Sequence, residues 1–195
     1  MSSPRELYLR VLDGVTAVVE CSDDRSWDIP SPCTGWSTQQ LLGHLIDGQH
    51  QLNAMLTGQG PRPPITDPQA LTHLTGDTPA MSWRRAHQAT VAVLTHLDPT
   101  RIVETPLGKR AVPDVLSVAV IEPLIHAWDL AVATGQSVVL DPEAVAVTLA
   151  GVQVLGDQLQ ATGMYHPARV MAPDASAQDR LLAALGRDPS AGAFH

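Results

Sequence analysis

The 195-residue sequence predicts an all-α fold: a single domain over residues 1–195, built as a bundle of four main helices with a short additional C-terminal helix. Two patterns carry that prediction. Apolar residues recur at helical three-and-four spacing over several long stretches. Start and stop signals bracket those stretches, among them Ser37-Thr38-Gln39-Gln40, Asp141-Pro142-Glu143 and Gly135. A hydrophobic content of 44% is ordinary for a globular chain and large enough to build a core.

The elements follow in order. Leu7, Val11, Val15 and Val18 predict a first amphipathic helix over 5–20, and Cys21 to Gly35, with Pro30 and Pro32, reads as a loop. Ser37 and Gln40 form a capping-box pattern ahead of a second helix over 38–57, whose inner face is Leu41, Leu45, Leu52 and Met55 or Leu56. Gly58 to Pro79 is a long connection with room for one helical turn at Gln69–Leu74. Pro79 opens a third helix over 79–97, with Trp83, Ala86 or His87, Thr90, Val93 or Leu94 and Leu97 inward. Residues 98–113 suggest a small hairpin or an extended crossover. A fourth helix is expected from Asp114, an N-cap, to Gly135, with Pro123 kinking or breaking it at Glu122. Asp141-Pro142-Glu143 starts a fifth helix to about Thr162, and Ser176–Leu185 forms the short last one, closed by Gly186.

A formal charge of -8 argues against a nucleic-acid or anionic-membrane partner, both of which need a basic patch. The N-terminus lacks the apolar core of a signal peptide, and the apolar runs are too interrupted for a membrane span, so a cytoplasmic location is expected. The two cysteines, Cys21 and Cys33, read as free thiols of a reducing compartment. Cys33 precedes a helix start, where a thiolate is stabilised, but a structural role is favoured over a catalytic one.

The chemistry concentrates in the stretch Val115–Leu130. Glu122 and His126 lie four apart and share a helix face with Val115, Val118, Ala119 and Ala133, and Asp129 follows three residues on. A carboxylate and an imidazole therefore point where apolar side chains ordinarily go. Burying an unpaired carboxylate costs several kcal/mol, about 3–5 when a buried partner is lost, so Glu122 needs a partner. His44, beside Leu41, Leu45 and Gly48 on the second helix, is another polar residue in an apolar stripe. Two histidines and a glutamate with an open fourth position form a known catalytic zinc set, and bundles build such sites from facing helices. On the residues alone a plainer reading stays open: Glu122 pairs with an Arg, His126 hydrogen-bonds in the core, and His44 is incidental. Of the other histidines only His87 is placed to substitute as a ligand.

Ser31-Pro32-Cys33-Thr34-Gly35-Trp36-Ser37, followed by Leu41-Leu42-Gly43-His44-Leu45, resembles the opening of the DinB/YfiT-like metal-binding bundles. The branch it is similar to contains mycothiol-dependent maleylpyruvate isomerase and its small uncharacterised relatives. Glu122-Pro123-Leu124-Ile125-His126-Ala127-Trp128-Asp129-Leu130-Ala131, then Ala133-Thr134-Gly135, resembles that branch's second motif, and residues 175–189 resemble the tail of the small relatives. The resemblance implies a DinB-like four-helix bundle and a divalent metal, Zn or Ni, held by His44, Glu122 and His126. Asp129 would orient His126 or a helix end.

The implied function is a divalent-metal-dependent enzyme of the thiol-dependent transferase or isomerase type. Its metal would activate a low-molecular-weight, mycothiol-like thiol, as co-substrate, or water. Arg84 or Arg85 would hold a substrate carboxylate. The expected partners are a small-molecule thiol and an electrophilic substrate, with a homodimer plausible for the family. The sequence is read as lacking the isomerase's additional C-terminal domain, so that particular reaction is not the expected one. A non-catalytic metal- or small-ligand-binding bundle is the alternative.

Overall fold

Several helix starts in this chain are written in capping residues. The structure, a computed structural model, describes residues 1–155, 166–172 and 174–192. Helix α1 (Pro4–Glu20) begins where the Ser3 hydroxyl accepts from the Glu6 backbone and the Glu6 carboxylate accepts from that of Ser3. Its buried face includes Leu7, Val11, Val15 and Val18, as the spacing predicts. Helix α2 (Thr38–Thr57) has the predicted reciprocal Ser37–Gln40 cap and stops at Gly58, whose φ of 86° is open to glycine at no steric cost. Helix α3 (Pro68–Thr75) is longer than the turn expected from sequence, because Asp67 caps it and Pro68 starts it. Helix α4 (Pro79–His96) buries Trp83, Ala86, Thr90 and Leu94.

Strands β1 (Ile102–Thr105) and β2 (Gly108–Ala111) form an antiparallel hairpin, with Ile102 opposite Ala111 and Thr105 opposite Gly108. The predicted fourth helix is two helices, α5 (Val112–Ala119) and α6 (Ile121–Ala133), and it starts at Val112 rather than Asp114. The join lies at Val120, not at Glu122. Proline has no N–H for the carbonyl four residues back and its ring crowds that carbonyl, so Pro123 disturbs the backbone at Ala119–Val120. Val120 itself stays helical, at φ −64° and ψ −25°, so the axis continues. Val118, expected on the inner face, is 68% exposed. Helix α6 ends at Gly135 as predicted, with Gly135 N–H on the Val132 carbonyl and Gln136 N–H on that of Ala131. Helices α7 (Pro142–Leu155) and α8 (Ala177–Ala184) follow. The last seven residues of the predicted fifth helix, up to Thr162, lie outside the described residues, as does His195. Short 3-10 turns occur at Asp24–Ser26 and Pro189–Gly192.

Helix α1 packs against α4 and α6, and α2 packs against the same two, which leaves α1 and α2 on a diagonal. The Tyr8 hydroxyl crosses that diagonal to donate to Gln49 Oε1 at 3.1 Å, and Trp83 Nε1 donates to Thr16 Oγ1 at 2.9 Å. Leu12, Leu41, Leu45, Leu94, Leu116 and Leu124 fill the space between, each burial contributing about 1.5–3 kcal/mol. Among the described residues, Val112–Ala133 is the one helical stretch long and apolar enough to cross a membrane, and about two-thirds of its apolar window is buried in the bundle.

Candidate functional site

Helices α2 and α6 are neighbours, and their contact brings residues 78 apart in the chain together. His44 from α2 sets Nε2 3.1 Å from Oε2 of Glu122, and His126, one turn along α6, sets its own Nε2 3.1 Å from the same oxygen. The two imidazoles meet edge to face, with ring centres 5.2 Å apart. The indole of Trp36 lies 5.0 Å beyond His44, at 46° to it. The three predicted ligand residues therefore converge.

Behind them lies a second, largely buried layer. Asp129, fully buried, takes His126 Nδ1 on Oδ2 at 2.8 Å. The same oxygen accepts from Arg187 Nη2 at 2.8 Å and from the Cys33 thiol at 3.5 Å, while Oδ1 accepts from Arg187 Nε at 3.3 Å. Asp129 thus holds the Nδ1 edge of His126 without reaching the solvent itself. With the Nδ1 proton directed at Asp129, Nε2 is left to face Glu122, as a second N–H in the imidazolium or as a lone pair for a cation.

These contacts set the charge states. Burial opposes ionisation of Glu122, but hydrogen bonds from His126 and His44 outweigh it and hold the carboxyl far below its usual range. Burial likewise opposes charging His126, yet its bonds to Asp129, Cys33 and Glu122 raise it well above an ordinary histidine. Asp129 is held low against burial by His126 and Arg187. One carboxylate oxygen between two imidazole Nε2 atoms needs a positive species there, either a proton or a metal cation.

The donor set fits a cation on chemical grounds. Tetrahedral zinc with bonds of about 2.0–2.1 Å places neighbouring donors about 3.3 Å apart, close to the observed separations. His44, Glu122 and His126 each offer one ligand atom, and these lie within 4.8 Å of one another. The exposed side of the cluster is Glu122, whose side chain is 44% accessible, and it opens into a cleft of about 720 Å³. Trp36, Ile65, Trp128, Arg169 and Arg187 are among the cleft's walls.

Arg84 is not brought to this place. It reaches Glu20 on the outside of α1 and α4 at 2.8 Å and does not line the cleft, nor does Arg85. The arginines of the cleft are Arg169 and Arg187, from the C-terminal segment. His87 stacks on Trp83, beside Thr16 and Asp13, and is no ligand candidate here. Cys33 stands at the site, with its thiol 3.5 Å from Asp129 Oδ2 and 3.8 Å from His126 Nδ1. Its signal was the Pro-Cys-x-Gly-Trp motif. Arg187 had only the similarity of the tail to point to it.

Fold and site together define a helical bundle with a two-histidine, one-carboxylate cluster opening into a cleft. Residues 9–131 match the family described as the mycothiol maleylpyruvate isomerase N-terminal domain, and the chain belongs to that family, as its motifs predicted. The uncharacterized proteins MT0763 and Rv0738, from two strains of Mycobacterium tuberculosis, are each 31% identical to it over 165 residues, covering 81% of this chain and 83% of theirs. The crystal structure of the mycothiol-dependent maleylpyruvate isomerase superposes with a TM-score of 0.57 at 18% identity, over 78% of this chain and 72% of that one. A histidine-to-alanine mutant of that enzyme gives 0.54 at 16%, over the same shares. At such identities the likeness is one of fold, and the fold is the DinB-like bundle.

Proposed function

We propose that the chain is a divalent-metal-dependent enzyme that activates a low-molecular-weight thiol, mycothiol or a close analogue, for attack on an electrophilic small molecule. The observation that carries this is the meeting of two imidazole Nε2 atoms at one oxygen of Glu122, on the wall of a cleft large enough for a thiol and a second substrate. The family and the mycothiol-dependent neighbour support the thiol.

His44, Glu122 and His126 are the residues that would hold the cation, zinc or nickel. When bound, such a cation supplies the positive charge that stabilises a thiol as its thiolate at neutral pH. The charge count favours this use. Asp129 is already matched by Arg187, and Asp188 of the cleft by Arg169, so among the described residues Glu122 is the carboxylate left at the two imidazole Nε2 atoms, and a divalent ion keeps one net positive charge for an anionic thiolate. Asp129 fixes the His126 ring, Trp36 braces His44, and Trp36, Ile65 and Trp128 give the cleft an apolar wall. Residues 1–195 are read as one functional unit in the cytoplasm, acting alone or as a homodimer. A transferase or isomerase outcome depends on the electrophile.

The test is direct. Purified protein is analysed for metal, and thiol consumption is followed against a panel of electrophiles before and after chelation. Bound zinc or nickel, and turnover that chelation removes and the ion restores, support the reading. Metal without turnover with any thiol favours the non-catalytic binding bundle. His44→Ala is expected to lose the metal.

A further inference from the structure

The other edge of His126 carries a second donor set that the proposed chemistry does not use. Cys33 Sγ, His126 Nδ1 and an Asp129 oxygen lie within 4.8 Å of one another, an arrangement of thiol, imidazole and carboxylate that suits zinc in its own right. His126 belongs to both sets. A chain with only these groups would face a choice of two cation positions, one on each ring nitrogen.

Arg187 engages the carboxylate of that second set. Its guanidinium takes both oxygens of Asp129, through Nη2 at 2.8 Å and Nε at 3.3 Å, while Nη1 donates to the Leu185 carbonyl at 3.1 Å. A planar fork of this kind holds a carboxylate in one orientation, which a point charge does not do. Its delivery is built into the backbone. Helix α8 closes with Gly186 N–H on the Ala183 carbonyl and Arg187 N–H on the Leu182 carbonyl, the paired bonds of a Schellman motif. Gly186 has φ of 79°, and a Cβ there would lie 2.5 Å from the His166 carbonyl oxygen, so the turn that aims Arg187 inward requires glycine.

We propose that Arg187 is the permanent counter-ion of Asp129, a positioning residue that reserves the Nδ1 edge of His126 for a proton and confines cation binding to the Nε2 edge. This rests on the cation reading of His44, Glu122 and His126. Removing the guanidinium has two consequences. Asp129 loses its fixed orientation, which loosens His126 as a ligand, and the Cys33–His126–Asp129 set becomes open to a cation.

Cobalt(II) titration of the full chain tests this, because ligation by sulfur adds a near-ultraviolet charge-transfer band that nitrogen and oxygen donors do not. The unaltered chain is expected to bind one cobalt without that band. Arg187→Met should bind it about 10- to 100-fold more weakly at the first site, and should show the sulfur band, which adding Cys33→Ser removes. Arg187→Lys keeps a positive charge and should show no sulfur band, so it serves also if the methionine variant does not fold. A sulfur band in the unaltered chain or in Arg187→Lys overturns the proposal, as does unchanged affinity without a band in Arg187→Met. An unaltered chain that binds no cobalt instead removes the cation reading from which the proposal starts.

Discussion

Gly43 sits against the backbone of Leu71: a Cβ at Gly43 would lie 2.2 Å from the Leu71 carbonyl oxygen and 2.8 Å from its carbon. The contact lets α3 lie directly on α2, one residue before His44. Backbone offers no flexible end to yield, so Gly43→Ala must push the two helices apart. The expected cost is about 1–3 kcal/mol, as for overpacking elsewhere. A thermal melt reads it, and an unchanged melting temperature would show that the contact is not a constraint.

Asp47 ties the cleft wall to α2. Almost fully buried, it accepts from Ile65 N–H at 2.9 Å and from Gln51 Nε2 at 2.7 Å, and so pins the Pro64–Thr66 segment that lines the cleft. Asp47→Ala leaves a backbone donor without its partner, at about 1–3 kcal/mol. Hydrogen exchange at Ile65 should accelerate, and KM for the thiol should rise more than kcat falls. Protection retained at Ile65 would count against the tether.

The pH dependence of the cation-free chain follows from His126. Its pKa is raised in the folded state, so the folded chain holds a proton that the unfolded chain has released over the interval above about 6.5. The stabilising contribution is complete below that value and is lost as pH rises through the folded pKa. Chelated protein should therefore melt at falling temperatures on the alkaline side, and Glu122→Gln should flatten the decline. A metal must displace the same proton, so cation binding should release protons and weaken as pH falls, measurable by calorimetry in buffers of different ionisation enthalpy.

The acid limb has, besides Glu122 and Asp129, a contribution remote from the site. Arg10 Nε meets Asp141 at 2.8 Å, and its Nη2 meets Glu143 at 2.8 Å, joining α1 to the start of α7. Arg10 holds the Asp141 carboxyl below its usual range, and Ser2 and then Arg10 do the same for Glu143. Lowered carboxylates stabilise above their unfolded pKa values, and that contribution fades as pH falls through the folded ones. Arg10→Ala should lower the melting temperature at pH 7 by a small amount, since the pairs are partly solvated. The difference from the unaltered chain should shrink toward pH 3; a constant difference would assign the effect to packing.

What the sequence determined by itself is the local part of the structure. Ser37 with Gln40, Pro79 and Gly135 mark helix ends within a residue or two, because capping acts through hydrogen bonds only three or four residues long. Glu122 and His126 were legible for the same reason, since one helical turn brings them together. The break was read at Glu122 and lies at Val120, because proline's missing donor is felt four residues upstream. Only the tertiary structure decided what stands behind Glu122 and His126. Arg187 reaches Asp129 across 58 residues and Cys33 reaches it across 96, while Arg84 turns outward to Glu20. Those positions depend on how the tail and the loop before α2 fold back over α6. No periodicity or cap encodes that, because the contacts form between segments whose separation along the chain exceeds the range of any local signal.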